Sequence, residues 1–117
     1  QAEMKEYILQ ARALVFPSVW YEGAPLTIPE VMGGYCLPCI VSDCSAGKDY
    51  IQHEYNGLIY SGKKVNALYK AICSMESDAL VTKLQSNIEK DFNREKYSSE
   101  HHVIKLMECY ERMLSEE

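Results

Sequence analysis

Short apolar runs alternate with helical segments along the first half of the chain. Residues 13–16, 39–42 and 58–60 are runs of apolar or small side chains, each followed by a polar or glycine-containing loop. Such runs are typical of strands buried on both faces of a parallel sheet. Elsewhere, as in residues 3–11, apolar residues recur at steps of three and four, which predicts helices. The order of elements predicts an α/β fold with a parallel sheet.

Pro29 limits where the helix after the first strand can begin. The pattern places its start near Pro25 or Leu26 and its end around residues 33–34. Because proline is tolerated only in the first helical turn, a start at Leu26 or Thr27 leaves Pro29 harmless.

The rest of the chain is predicted to form amphipathic helices. Ser77 is a suitable N-cap for one of them, and Ser98 or Ser99 for the last. The apolar stripes in three successive helices are Val65, Leu68, Tyr69, Ile72 and Met75, then Leu80, Leu84 and Ile88, then Val103, Leu106, Met107, Tyr110, Met113 and Leu114.

Composition and charge narrow the classes of partner. The chain has 117 residues, of which 47% are hydrophobic and 25% charged, with a net charge of −5. This is an ordinary globular mixture, and the absence of a basic stripe argues against nucleic acid as a partner. No apolar stretch is long enough to span a membrane, so we expect a protein of the cytoplasm or the inner membrane face. Three strands are few for a parallel sheet, which predicts an incomplete sheet with an open edge.

Five cysteines are present, and Cys36 and Cys39 have the spacing of a zinc or redox site, with Cys44 close behind. An odd count without a signal peptide favours reduced thiols. No fourth ligand is evident nearby, and Cys39 begins an apolar run. We therefore expect core cysteines and no metal, with a metal or redox role as the weaker alternative.

Two loops follow the carboxyl ends of the first two strands, at residues 17–24 and 43–47. In open parallel sheets, ligands bind outside the carboxyl ends of the strands. The first loop leads into a helix, whose free amides and partial positive charge suit a phosphate group. Gly23 in that loop would let the backbone approach a ligand closely. This order indicates a nucleotide site, although many α/β proteins share it.

Glu22 and Glu30 lie eight residues apart, the first in the loop and the second one turn into the helix. Carboxylates accept hydrogen bonds from the vicinal hydroxyls of a ribose or a hexose, so the two could hold both ends of a nucleotide sugar. Spacing alone leaves open that both are ordinary acids near a helix N-terminus. Trp20 and Tyr21 could likewise stack on a base or pack on their own domain.

Residues 17–32 resemble the signature of the family 4 glycosyltransferases, which reads Pro-Ser, a few residues, Glu-Gly-x-Pro/Gly-Leu, and a second Glu before Ala-Met. Glu22 and Glu30 match the spacing of its Glu-x7-Glu motif. Residues 37–43, 47–51 and 56–60 are similar to the segments that follow in the family. The likeness is good over residues 1–75 and looser toward Tyr110.

The resemblance implies a GT-B fold, in which two Rossmann-like domains bind the donor between them. Residues 1–117 would be the C-terminal part of the nucleotide-sugar-binding domain, an incomplete three-layer Rossmann-like sandwich, without the N-terminal acceptor domain. The family transfers a sugar with retention, using neither a metal nor another cofactor. By position, Glu30 would bind the donor ribose, and Glu22, the candidate catalytic residue, would bind the transferred sugar. Donor-binding residues would be Glu22, Gly23, Ala24, Pro25, Leu26, Thr27 and Glu30.

The chain departs from the family pattern in two ways. Tyr35 occupies a position where the family usually has glycine, so we expect Gly33 and Gly34 to take up the turn. The basic residues that the family places on the diphosphate are missing, and Lys48 is only a weak replacement.

The resemblance also implies partners: a nucleotide sugar, a glycan or lipid-linked acceptor in polysaccharide synthesis, and the N-terminal domain of the same enzyme. The open sheet edge adds a route to self-association. Two alternatives remain at this point. One is another GT-B activity, such as a sugar-nucleotide epimerase or a glycan synthase, and the other is a non-catalytic nucleotide- or protein-interaction module.

Overall fold

The computed structural model describes residues 2–19, 26–92 and 99–115. The strands are β1 (Leu14–Phe16), β2 (Cys39–Ser42) and β3 (Gly57–Tyr60). The helices are α1 (Ala2–Gln10), α2 (Thr27–Tyr35), α3 (Ala67–Ser74), α4 (Asp78–Asp91) and α5 (Ser99–Ser115), and a 3₁₀ helix covers Ala46–Tyr50. The predicted alternation of strands and helices is confirmed.

The three strands form one parallel sheet in the order β1-β2-β3. Leu14 pairs with Cys39, and Cys39 pairs in turn with Gly57, so the amino ends of the strands are level. Every residue of the central strand β2 is buried. This is the reason for its continuous apolar run, because a strand covered on both faces has no solvent side to make polar. The predicted α/β fold with a parallel sheet is confirmed.

Helices cover both faces of the sheet. On one face, α2 packs Ile28, Val31 and Met32 against Cys39 and Val41 of β2. On the other face, Ile40 and Leu58 pack with Met75 at the end of α3 and with Val81 and Leu84 of α4. The result is the three layers of a Rossmann-like sandwich, present here as a partial domain.

Helix α2 begins at Thr27, so Pro29 lies in its first turn as predicted. Its end differs from the expectation, because Gly33 and Gly34 continue the helix and take up no turn. Cys36 makes the turn instead, with a left-handed φ of 53°. Its amide donates to Met32, and a non-glycine residue thus adopts the conformation that usually favours glycine.

Two of the predicted apolar stripes pack differently from each other. Ser77 caps α4 by accepting a hydrogen bond from the Leu80 amide, and Leu84 and Ile88 of that helix are fully buried. The stripe around α3 does not form one buried face, because Val65 precedes the helix and is 89% exposed and Tyr69 is 68% exposed. Its inward side is formed by Leu68, Ala71 and Met75.

Helix α5 keeps its apolar stripe exposed. Of the residues whose burial is described in this helix, His101 alone is partly buried and the others are exposed. Its exposed large apolar side chains are Val103, Ile104, Leu106, Met107, Tyr110, Met113 and Leu114.

Candidate functional site

The carboxyl edge of the sheet, where β1, β2 and β3 end, is the candidate site. Three elements meet there: the loop after β1, the 3₁₀ helix after β2, and the first turn of α2. The opposite side of the sheet, where the strands begin, is the amino edge. Because parallel strands all end on one side, only the carboxyl edge collects the exit loops.

The first turn of α2 presents exposed residues above a buried anchor. Leu26 is 65% exposed, Thr27 and Glu30 are also exposed, and Ile28 is fully buried. The Glu30 amide donates to the Leu26 carbonyl, which closes the first turn. The amides before Glu30 belong to the helix start, where a helix offers no carbonyl partners and carries a partial positive charge. An anion placed here would be stabilised by both effects.

Gly47 brings the 3₁₀ helix against the start of α2. A Cβ atom on Gly47 would lie 2.6 Å from Cδ1 of Ile28, so a side chain at this position would hold the two elements apart. Ser45 fixes the loop just before it, because its Oγ accepts the Gly47 amide at 3.0 Å and caps the short helix. The exit of β2 and the N-terminus of α2 are therefore in direct contact.

Ser42, the last residue of β2, connects the exit of β2 to that of β1. Its hydroxyl donates to the carbonyl oxygen of Ser18 at 2.7 Å, and the Ser42 side chain is fully buried. This bond joins residues 24 positions apart in sequence across the carboxyl edge.

Asp43 makes the corresponding connection to β3. Its amide donates to the Tyr60 carbonyl at 2.9 Å, and its Oδ1 accepts the Gly62 amide at 3.0 Å and the Cys44 thiol at 3.3 Å. The Gly62 amide, followed by the Cys44 thiol and more weakly by Lys48, lowers the pKa of the Asp43 carboxyl. The same hydrogen bond from Cys44 raises the pKa of its thiol.

Residues 1–95 match the sequence model of the family described as Glycosyl transferases group 1, which is most of the chain. The chain belongs to this glycosyltransferase family. Two solved structures share the fold. Sucrose-phosphate synthase of Thermosynechococcus elongatus superposes with a TM-score of 0.72 at 25% identity, over 95% of this chain and 27% of that one.

The second is Anabaena HepE, solved in complex with UDP, with a TM-score of 0.72 at 15% identity over all of this chain and 31% of that one. The chain thus spans about a third or less of the length of each of these two structures. No curated protein sequence matches the chain.

The structure brings three of the predicted donor-binding residues of this group 1 glycosyltransferase chain to the carboxyl edge. These are Leu26, Thr27 and Glu30, all in or just before the first turn of α2. The other predicted site residues, Glu22, Gly23, Ala24 and Pro25, lie outside the described residues, as do Trp20 and Tyr21.

Sequence reasoning missed Ser42 and treated Asp43 only as part of an exit loop. Both follow a buried apolar run without interruption, and that position was the available signal. In this sheet the side chain of Ser42 bonds to the exit of β1, and that of Asp43 bonds to the exit of β3.

The cysteines are divided between core and surface. Cys39 is fully buried, and this burial raises the pKa of its thiol to about 12, so the thiol stays protonated at neutral pH. Cys36 and Cys44 are partly buried. Within the described ranges, no three His, Cys, Asp or Glu residues are grouped to hold a metal ion.

An apolar groove of about 400 Å³ lies on the sheet face near the amino edge. It is bordered by Arg12, Ala13 and Val15 on one side and by Ile72 and Met75 of the α3 region on the other. The lining of the groove is mostly apolar, and Arg12 and Glu76 are its charged residues. Among the helices in the described part of the chain, none has the length and apolar character needed to cross a membrane.

Proposed function

We propose that this chain is the donor-binding part of a retaining family 4 glycosyltransferase, which transfers a sugar from a nucleotide diphosphosugar to a glycan or lipid-linked acceptor. Residues 1–117 supply the C-terminal part of the nucleotide-sugar-binding domain. A separate N-terminal domain of the same enzyme binds the acceptor. The cellular role is polysaccharide synthesis in the cytoplasm or at the inner face of the membrane.

The observation that carries this proposal is the position of the α2 N-terminus at the carboxyl edge. A helix start with free amides lies beside the exit of β2, with the Glu30 carboxylate exposed one turn further on. Amides and the helix dipole favour the diphosphate, which carries the charge that develops as the sugar leaves. A carboxylate one helical turn beyond a phosphate subsite can accept hydrogen bonds from the ribose hydroxyls.

Residue roles follow the family pattern. Glu30 binds the donor ribose, while Glu22 binds hydroxyls of the transferred sugar and is the catalytic residue. Gly23, Ala24, Pro25, Leu26 and Thr27 line the diphosphate and sugar. The roles of Glu22, Gly23, Ala24 and Pro25 rest on the sequence pattern alone. The reaction uses no cofactor and no metal, and the nucleoside diphosphate bound to HepE supports this class of donor.

Replacing Glu30 tests the ribose contact. In the full-length enzyme, Glu30→Gln should weaken nucleotide-sugar binding by about 1–3 kcal/mol, because a charge-assisted hydrogen bond is lost. Glu89→Gln, an exposed acid on α4, is the matched control and should bind as the unaltered enzyme does. Titration calorimetry with a panel of nucleotide diphosphosugars measures both. Equal affinity of the Glu30 variant and the unaltered enzyme would overturn the assignment.

The chain by itself should transfer no sugar. Catalysis between two domains depends on holding acceptor against donor, which contributes about 7–11 kcal/mol in favourable cases.

The outer edge of β1 and the exposed stripe of α5 should also promote self-association. Light scattering and a donor-turnover assay on the 117-residue chain test both expectations. A monomer with robust transferase activity would contradict them, and donor binding without transfer in the full-length enzyme would favour a non-catalytic module.

A further inference from the structure

Ser42 is a polar residue in a place where packing alone would favour an apolar one. It ends a strand whose other members are Cys39, Ile40 and Val41, and all of them are buried. A buried hydroxyl is unfavourable unless it has a hydrogen-bond partner, and Ser42 has one in the Ser18 carbonyl at 2.7 Å. The partner belongs to the exit of the neighbouring strand. The hydroxyl therefore links the end of β2 to the exit of β1 and makes no bond within its own strand.

The next residue makes the same type of connection in the opposite direction. Asp43 holds the exit of β3 through the Tyr60 carbonyl and the Gly62 amide. Two consecutive residues at the end of the central strand thus bind the exits of both flanking strands. We call them the strand-end pair.

The loop after β1 leads into α2, and the described residues at both of its ends contact the exit of β2. At one end, Ser18 accepts the Ser42 hydroxyl. At the other end, Cδ1 of Ile28 in α2 lies 2.6 Å from the position that a Cβ on Gly47 would take. Residues 42–47 therefore set the position of the start of α2 relative to the sheet, and with it the position of Glu30.

We infer that Ser42 is a positioning residue for the nucleotide-sugar donor, acting through Ser18 at the exit of β1, on the carboxyl edge where α2 begins. This inference rests on the proposed function, since it assumes that the donor binds at this edge. Because Ser42 is fully buried, we assign it no direct contact with the donor. Its hydroxyl fixes the separation of the β1 and β2 exits. Asp43, the other member of the strand-end pair, fixes the exit of β3 in the same way.

Ser42→Ala in the full-length enzyme tests the inference. We expect kcat/KM for the nucleotide sugar to fall about 5- to 30-fold, the factor by which losing one buried hydrogen bond shifts an equilibrium. The KM for the acceptor should stay unchanged. Ser42→Thr, which keeps the hydroxyl, should restore donor kcat/KM to within about twofold. Ser42→Cys serves as a second variant if Ser42→Ala does not fold. Its side chain has nearly the same volume as serine, so it should fold, but its thiol is a weak donor, so donor kcat/KM should still fall.

Ser77→Ala is the control for stability. Ser77 caps α4 at the amino edge through a hydroxyl bond to the Leu80 amide, so its loss lowers the melting temperature without reaching the carboxyl edge. We expect it to leave donor kcat/KM unchanged. The inference is overturned if Ser42→Ala and Ser42→Cys lower only the melting temperature, as Ser77→Ala does. An unaltered enzyme that binds no nucleotide sugar would instead overturn the proposed function, and this inference with it.

Discussion

The two edges of the sheet are held together by similar bonds but offer different surfaces. At the amino edge, the Arg12 guanidinium donates to the carbonyl oxygens of Met75 and Glu76 and forms an ion pair with Asp78 at 2.8 Å. These bonds join β1 to the α3–α4 junction beside an apolar groove. At the carboxyl edge, Ser42 and Asp43 join three exit loops beside the start of α2. The bonds at the amino edge only connect structural elements. Those at the carboxyl edge also position the start of α2, whose exposed residues a ligand can reach.

The largest effect is expected at Gly57, which begins β3 at the amino edge. A Cβ on Gly57 would lie 2.5 Å from the backbone oxygen of Cys39, an atom that cannot move without shifting the central strand. Gly57→Ala should reduce the free energy of unfolding by about 3–4 kcal/mol, measured by urea denaturation. Molecules that remain folded should bind donor normally. A loss below about 1 kcal/mol would show that β2 and β3 are less closely packed than described.

Gly47 is the counterpart at the carboxyl edge. Its added Cβ would meet the flexible end of Ile28 at 2.6 Å, and a side-chain end can turn away more easily than a backbone atom. Gly47→Ala should therefore reduce stability by only about 2 kcal/mol, but it should also weaken donor binding because the start of α2 moves. Urea denaturation combined with calorimetry separates the two effects. Unchanged donor affinity in this variant would mean that the contact between Gly47 and Ile28 is purely structural.

Arg12 should contribute less than either glycine. Its two bonds to carbonyls are partly exposed, and its partner Asp78 is 90% exposed, so the ion pair adds little. Arg12→Met keeps the apolar stem and should reduce the free energy of unfolding by about 1 kcal/mol, with no change in donor binding. A loss of donor affinity in Arg12→Met would contradict the claim that only the carboxyl edge takes part in donor binding.

The smallest effect concerns the ionisation of Asp43. Because its folded pKa is lowered below the ordinary value of 3.8, its stabilising contribution is complete above that value and is lost as the pH falls through the folded pKa. The Gly62 amide donates to the Asp43 carboxylate, so its NMR chemical shift should follow the ionisation of Asp43, with a midpoint below pH 3.8. In Asp43→Asn the Gly62 signal should show no such titration. A midpoint at or above the ordinary value would contradict the hydrogen bond.

Much of the fold could be predicted because its central strand is buried on both faces. The run at Cys39–Ser42 has no solvent side, and Pro29 leaves one place for α2 to begin, so both were predicted correctly. The end of α2 was not, because a left-handed Cys36 has no distinctive sequence signal. The exposure of Val65 and Tyr69 was also missed, since an apolar pattern does not show which side another element covers.

The candidate site was predictable only in part. Loop order and helix polarity indicated the carboxyl edge, and Leu26, Thr27 and Glu30 lie there. The bond from Ser42 to Ser18 depends on which strands are neighbours and on their register, and short-range patterns contain neither. A serine at the end of an apolar run reads as the first residue of a loop unless the adjacent strand is known.

Hydrogen exchange of the full-length enzyme with and without a nucleoside diphosphate tests the central claim most directly. UDP, GDP and ADP serve as probes at saturating concentration. We predict slower exchange at residues 26–30 and 42–47 for whichever diphosphate binds, and no change at residues 12–13 and 75–78 of the amino edge. Slower exchange confined to the groove beside Arg12 and Met75, or bound nucleotide without protection at the carboxyl edge, would contradict the account.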